Sequence, residues 1–472
     1  MKKIILYILA LAVTASGCKK YLNVNTDPNN PADVQENLLL VPTETAISTD
    51  LAGGALTIGN YVAVAVVTNY WTQQLALNQL FPQNDTYRVR PDDMDQQFLS
   101  IYSTILQNLR IMDSKAETLK HHSYGVIAKV LTAYTVGYVT DMWGDIPWSQ
   151  ALNGALHPIY DKQEDVYKAM QSMLDSAIAE NALDPGAFTP GSDDLLYGGD
   201  MDKWVKFAYT LKARYYMHLT KAPGHDAATQ SGLALTALQN GFASADDQAL
   251  FAAYSNNSGS ENPWFENVDP TAGPTVLAST FVNFLAGNND PRLPAMAKKG
   301  SGGNYLGRVI GTNPAPNYKV YSNVNSFYAG ASAPQALLNY SEALFLKAEA
   351  IFRTSGAAAA TPVYINAINS HMSALGLDTG SAPVLAYLAA RGSLTAANGI
   401  QRIMEEKDIA NFLSIENFTD WRRTGFPALT IVQNPYVPAI PRRFPYPLAE
   451  LTSNPQPQQN VNITDRVWWD AQ

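Results

Sequence analysis

Apolar residues recur at spacings of three and four along much of this chain, and that period admits one kind of backbone. Ile127, Val130, Leu131, Tyr134 and Tyr138 form one stripe, and Val166, Met170, Met173, Leu174 and Ala177 a second. Trp204, Phe207, Ala208, Leu211 and Tyr215 form a third, and Leu344, Phe345, Ala348, Ile351 and Phe352 a fourth. One face of an α-helix returns every 3.6 residues, so each stripe predicts a helix with that face buried. Asp200 stands where the third helix needs an N-cap. Glu349 and Arg353, four apart, predict an ion pair on the outer face of the fourth. A partner helix is expected over 362–374, because Pro362 suits a first helical turn.

Between these helices lies a different texture. Residues 250–335 are dense in Gly, Pro, Asn and Ser, with aromatic rings scattered through them. A loop-rich insertion of that length is expected to be ordered and functional. The proline-rich tail from 427 to 472 is expected to pack back over the helices.

The chain has a single cysteine among 472 residues, and its setting is specific. Lys2 and Lys3 precede an apolar run over 4–13, followed by Ala15-Ser16-Gly17-Cys18. Charged, apolar and small-residue zones in that order mark a secretory signal over 1–17. A cysteine immediately after the small residues is where signal peptidase II cuts and the thiol takes lipid. Lipidation of Cys18 leaves a mature chain with no disulfide, so its fold must be held by packing alone. Residues 18–42, rich in Asn and Pro, are expected to form an extended tether that hugs the body. Residues 43–472 then form one domain. No later apolar run reaches the roughly 18–20 residues needed to span a bilayer, so lipid is expected to be the anchor.

Charge narrows the function classes. Charged residues make up 15% of the chain, and the net charge is −9, which excludes a nucleic-acid footprint. Twenty-five tyrosines and eight tryptophans stand in place of charge, a surface chemistry suited to neutral, hydroxyl-rich ligands or peptides. Carboxylate neighbours occur at Asp92-Asp93, Asp193-Asp194 and Glu405-Glu406, but glycoside hydrolysis needs two carboxylates facing each other across a bond. No HExxH, GxSxG or phosphate-loop motif is present. Asn23, Asn25, Asp27 and Asn29 alternate oxygens without a distal glutamate, so no metal or cofactor is expected.

Helix-turn-helix pairs of this length are similar to tetratricopeptide units, although the consensus of that repeat is not met. Several segments taken in order resemble the SusD/RagB family of outer-membrane nutrient-binding lipoproteins. They are NTDPNNP at 25–31, YWTQQ at 70–74, DMWGDIPWSQA at 141–151, YGGDMDKWVKFAYTLKARYYMHL at 197–219, DPRL at 290–293, LLNYSEALFLKAEAIFRTSG at 337–356, FTDWRRTGFPAL at 418–429, IPRRFPYPLAE at 440–450 and VWWD at 467–470. The resemblance implies a mainly α fold in which tetratricopeptide-like pairs form a right-handed superhelical scaffold with long irregular insertions and little strand. It further implies a noncatalytic, lipid-anchored lid on a SusC-like TonB-dependent outer-membrane transporter, binding an oligosaccharide or peptide outside the cell. The alternative is a helical-repeat scaffold that assembles outer-membrane complexes and binds no nutrient.

Residue chemistry assigns roles within that frame. In WGDIP, Gly144 ends a helix, Pro147 forbids its continuation, and Asp145 is expected to hold the turn through backbone N–H groups. WRRTG at 421–425 could clamp a ligand carboxylate, but Arg422 or Arg423 is expected instead to pair with the protein's own acids and fix the tail. Ligand contacts are expected among aromatics and amides outside these motifs. Tyr70, Trp71, Gln74, Asn78, Asn84 and Tyr87 form one candidate wall, and Trp264, Phe265, Phe327 and Tyr328 the opposite one. Flat rings stack on the C–H faces of sugars while amides serve the hydroxyls.

Overall fold

A computed structural model describes residues 34–54, 63–268, 275–457 and 461–471. Cys18, the leader and the first part of the expected tether lie outside the described residues.

The stripes become helices. Eleven principal ones follow in order: α1 (Glu36–Ala46), α2 (Val64–Trp71), α3 (Gln107–Leu119), α4 (His122–Trp143), α5 (Gln163–Glu180), α6 (Met201–His218), α7 (Ala227–Leu238), α8 (Tyr340–Ala374), α9 (Ala382–Arg391), α10 (Gly399–Ala410) and α11 (Glu416–Thr424). From α3 to α8 each helix packs on the next in sequence; α10 then packs on α8, and α11 on α10. This is the tetratricopeptide-like array. Asp200 caps α6, accepting from the Lys203 backbone N–H at 3.3 Å. Within α4 nearly every side chain is buried, so this helix forms the axis of the core.

Three details differ from the sequence reading. Helix α1 starts at Glu36, so the tether does not extend to 42; Glu36 itself is buried and binds His121 at 2.8 Å. The partner helix begins before Pro362, because a single non-helical residue, Gly356 (φ 82°, ψ −179°), separates the two arms of α8. Glu349 does meet Arg353 at 2.8 Å, but it is fully buried rather than outward-facing.

Strand is sparse and confined to four two-stranded antiparallel ribbons. They pair β1 (Leu75–Leu77) with β5 (Thr275–Leu277), and β2 (Ile146–Pro147) with β3 (Tyr160–Asp161). The others join β4 (Ala249–Phe251) to β8 (Gln335–Leu338), and β6 (Ala297–Lys298) to β7 (Asn323–Val324). The β4–β8 ribbon closes the two ends of the loop-rich insertion on each other, and β1–β5 stitches its middle to a distant part of the chain, so the described part of the insertion is an ordered part of the domain.

Buried charge pins the array. Arg423 binds Glu349 and Asp420 with all three side chains out of solvent. Arg214 meets Glu342 through two nitrogens at 2.8 and 2.9 Å, and Arg292 bridges Asp290 to Glu406. Arg422 has no carboxylate on it. It lies between the Phe418 and Trp469 rings, 4.2 and 4.5 Å from their centroids, and donates to the carbonyls of Asp141 and Arg442. Burial in that apolar sandwich lowers its guanidinium to about 10. The tail closes the core from the other side, with Trp469 fully buried and its indole N–H on Asp141 at 2.9 Å.

Candidate functional site

Half of the ten expected ligand contacts are buried in this structure. Tyr70, Trp71, Gln74, Tyr87 and Trp264 are all buried. Tyr70 bonds Thr275 at 2.8 Å, tying α2 to β5. Trp71 stacks on Phe444 with centroids 4.5 Å apart and donates to the Asn84 carbonyl. Gln74 donates to Asp408 O at 2.9 Å and accepts from Leu413 N–H at 3.2 Å. Tyr328 is half-buried, bonded to His371 at 2.9 Å and packed edge-on against Phe412. Only Phe327, 47% exposed, presents its ring to solvent. Large aromatic area is most stable inside, and these rings sit beside long apolar runs that recruit them. Trp264 and Phe265 share a neighbourhood with Phe327 and Tyr328, since Asn262 bonds the backbone of Ala331 and Ala333.

Three loops converge instead: 77–87 after β1, 306–318, and 430–436. Arg308 joins the first two. It is buried, and its guanidinium donates to Leu77 O at 2.5 Å, Thr312 O at 2.8 Å, Asn313 O at 3.3 Å and Gln79 O at 3.4 Å. Asn78 completes the junction by a two-way amide pair with Ala315, both bonds 3.0 Å. The third loop is tied by Tyr436 N–H to Thr86 O at 2.8 Å and by Asn434 to Gly311 O at 2.9 Å. Gly311 has φ +78°, and a Cβ there would stand 1.8 Å from Gln433 O, so glycine alone permits this approach. Beneath the first loop Asp85 accepts from Leu77 N–H at 3.0 Å. Burial pushes its carboxyl up to about 6, against the backbone N–H and Arg308, which pull it down.

Every backbone group cited here is paired, yet apolar side chains are held outward. Leu80 (65%), Tyr436 (61%), Ile431 (49%), Val309 (43%) and Phe81 (36%) are exposed on the three joined loops. Gln79, Asn313, Asn317 and Gln433 lie among them, also exposed. Loops tied together in this way and presenting rings and aliphatic groups beside amides are a candidate binding surface. The face carries no charge from these residues. Of the sequence candidates, Asn78 and Asn84 belong to it as positioning groups. Phe81 and Tyr436 were not read from the sequence. The signal was there, in an apolar pair beside Pro82 and in a tyrosine between Pro435 and Pro438.

A family model described as starch-binding and associating with the outer membrane matches residues 28–447. The chain belongs to the SusD-like family. Solved structures resemble this SusD-like chain over most of its length. A chitin-binding protein has a TM-score of 0.78 at 24% identity, covering 93% of this chain and 100% of its own. A susd/ragb family protein from Bacteroides thetaiotaomicron gives 0.78 at 24%, covering 93% and 99%. A chitin-binding SusD homolog from Flavobacterium johnsoniae gives 0.78 at 21%, covering 92% and 98%. At such identities the likeness establishes the fold. No curated protein sequence matches the chain.

Several of the carboxylates that neighbour each other in the sequence are engaged by the protein itself. Glu405 and Glu406 are both held by Arg391, and Asp194 accepts from four groups, including the Trp204 indole at 2.8 Å. Asp141, His218 and Glu416 form a buried cluster of metal-ligand type. Burial alone would push His218 down, but Glu416 and Asp141 outweigh it and raise the imidazole to about 9. Among the described residues no helix is long and apolar enough to cross a membrane.

Proposed function

We propose that this chain is a noncatalytic lipoprotein that captures an oligosaccharide or peptide at the outer-membrane surface and passes it to a SusC-like TonB-dependent transporter. The uncharged three-loop face carries the reading: Phe81 and Tyr436 supply rings for C–H faces, and the neighbouring amides supply hydroxyl partners. The family description and two relatives named as chitin-binding favour glycan over peptide. Cys18, lipidated, supplies the anchor, with the residues between it and Glu36 as the tether. The transporter partnership rests on family membership alone.

Calorimetry against chitin and starch oligosaccharides and a panel of short peptides tests it. A glycan is expected to bind, and Phe81→Ala with Tyr436→Ala to weaken it at least about tenfold, the cost of losing two stacking rings. No binding by any panel member, with tight copurification of a protein other than a barrel transporter, would favour the scaffold reading.

A further inference from the structure

A second cavity, sharing no residue with the three-loop face, opens where the end of α4 meets the tail. It encloses about 460 Å³, within the roughly 300–1,000 Å³ of small-ligand sites. Gly144, Asp145, Tyr160, Lys162, Arg443, Tyr446, Arg466 and Trp468 are on its walls. Two of its three cations carry acids of their own, Lys162 on Asp145 and Arg466 on Asp470, and Tyr160 beside them donates to Glu450 at 2.8 Å.

The informative side chain is Arg443. It is 6% exposed and, among the described residues, has no carboxylate within ion-pair distance. Part of its guanidinium is accounted for structurally: Nη2 donates to the Trp143 carbonyl at the end of α4, and Nε reaches Phe444 O at 3.4 Å. The guanidinium also lies over the Tyr446 ring, 5.0 Å from its centroid, and among the described residues Nη1 has no carbonyl or carboxylate on it. It faces Gly144, whose φ of +83° turns the chain away from it; a Cβ on that glycine would lie 3.7 Å from Nη1. Asp145 does not fill the role, because it is spent on Lys162 at 2.7 Å and on Gln163 N–H at 2.9 Å. Arg466 binds Asp470 through Nη1. A buried guanidinium with a bare donor on a polar cavity is suited to an anion, and a fork of N–H groups to a carboxylate above all. The surrounding rings decide the rest. Tyr160 and Tyr446 stand edge to face, 5.1 Å apart, with Trp468 on the same walls, offering apolar faces next to the cation.

We infer that this cavity binds a carboxylate-bearing sugar, with the acid group on Arg443 Nη1 and the ring against Tyr160, Tyr446 or Trp468. Net negative charge disfavours acidic glycans over the surface as a whole, and Arg443 is the local exception.

Calorimetry on the purified protein with a galacturonic acid dimer, its neutral galactose counterpart and a short peptide acid tests the assignment. The uronate is expected to bind at least about tenfold tighter than the neutral dimer, and to weaken as salt rises. Lys162→Gln should lower uronate affinity severalfold without moving Tm, since the Lys162 side chain is exposed and its surface pair with Asp145 is worth little. Arg443→Lys should lower it further by losing the fork, with Tm reporting any loss of the α4 cap separately. Equal binding of the two dimers, no uronate binding to the folded wild-type protein, or tighter binding of the peptide acid would each overturn the proposal. So would loss of uronate binding in Phe81→Ala with Tyr436→Ala, which would place the ligand on the three-loop face.

Discussion

Arg422 and Arg423 are neighbours in one motif and reach burial by different routes. Arg423 is neutralised by two carboxylates, Glu349 and Asp420, whereas Arg422 is covered by rings and bonded to carbonyls. Removing one partner of a buried pair leaves the other uncompensated. Arg423→Met is therefore expected to cost about 3–5 kcal/mol of unfolding free energy in urea titration. A loss below about 1 kcal/mol would show that Glu349 finds another cation at no cost. His218 gives the pH dependence. Its folded value of about 9 lies above the ordinary 6.5, so its stabilisation is complete below about pH 6.5 and is lost as pH rises through 9. Unfolding free energy is expected to fall by about 3 kcal/mol over that window. His218→Gln should flatten the slope, as followed by denaturation at fixed pH steps. Of these residue roles the sequence carried the general one, arginine against the protein's own acids, for Arg423. It did not carry the aromatic sandwich on Arg422, because Trp469 arrives from far along the chain.

At the scale of elements, periodicity located the helices and misplaced their ends. The stripes in α4, α5 and α6 are buried as spacing demands, because a 3.6-residue period has one structural meaning. Boundaries depend on local backbone choices instead: Gly356 breaks α8 where Pro362 seemed the natural start. The candidate aromatics erred for a related reason. A sequence shows which rings exist, but burial depends on which helix covers them, and α2 is covered on all sides. The close fit of α4 on α6 makes a prediction. A Cβ on Gly137 would stand 2.3 Å from the Tyr215 hydroxyl, which donates to Ala133 O at 2.9 Å. Alanine favours helix by up to about 1 kcal/mol over glycine, yet overpacking here is expected to outweigh that and destabilise by about 1–3 kcal/mol. Thermal unfolding of Gly137→Ala measures the balance, and a raised Tm would mean that the helices stand further apart.

Across the whole molecule, one continuous apolar core runs from Leu39 to Trp469, so first helix and last turn stabilise each other. Deleting the segment after 460 removes Val467, Trp469 and the Asp470 carboxylate that takes Arg442 and Arg466. Loss of the buried indole alone is worth about 3–5 kcal/mol, and the total approaches the stability of a typical domain. A chain truncated there is expected to lose its near-ultraviolet dichroism and its single cooperative transition; a sharp, native-like melt would show that the helical array closes without its tail. This placement of Trp469 also sets an order of events. Asp141 stays unsealed until an indole 328 residues further along docks on it. The helical array can therefore assemble early, while its interior is finished only when that distant segment arrives.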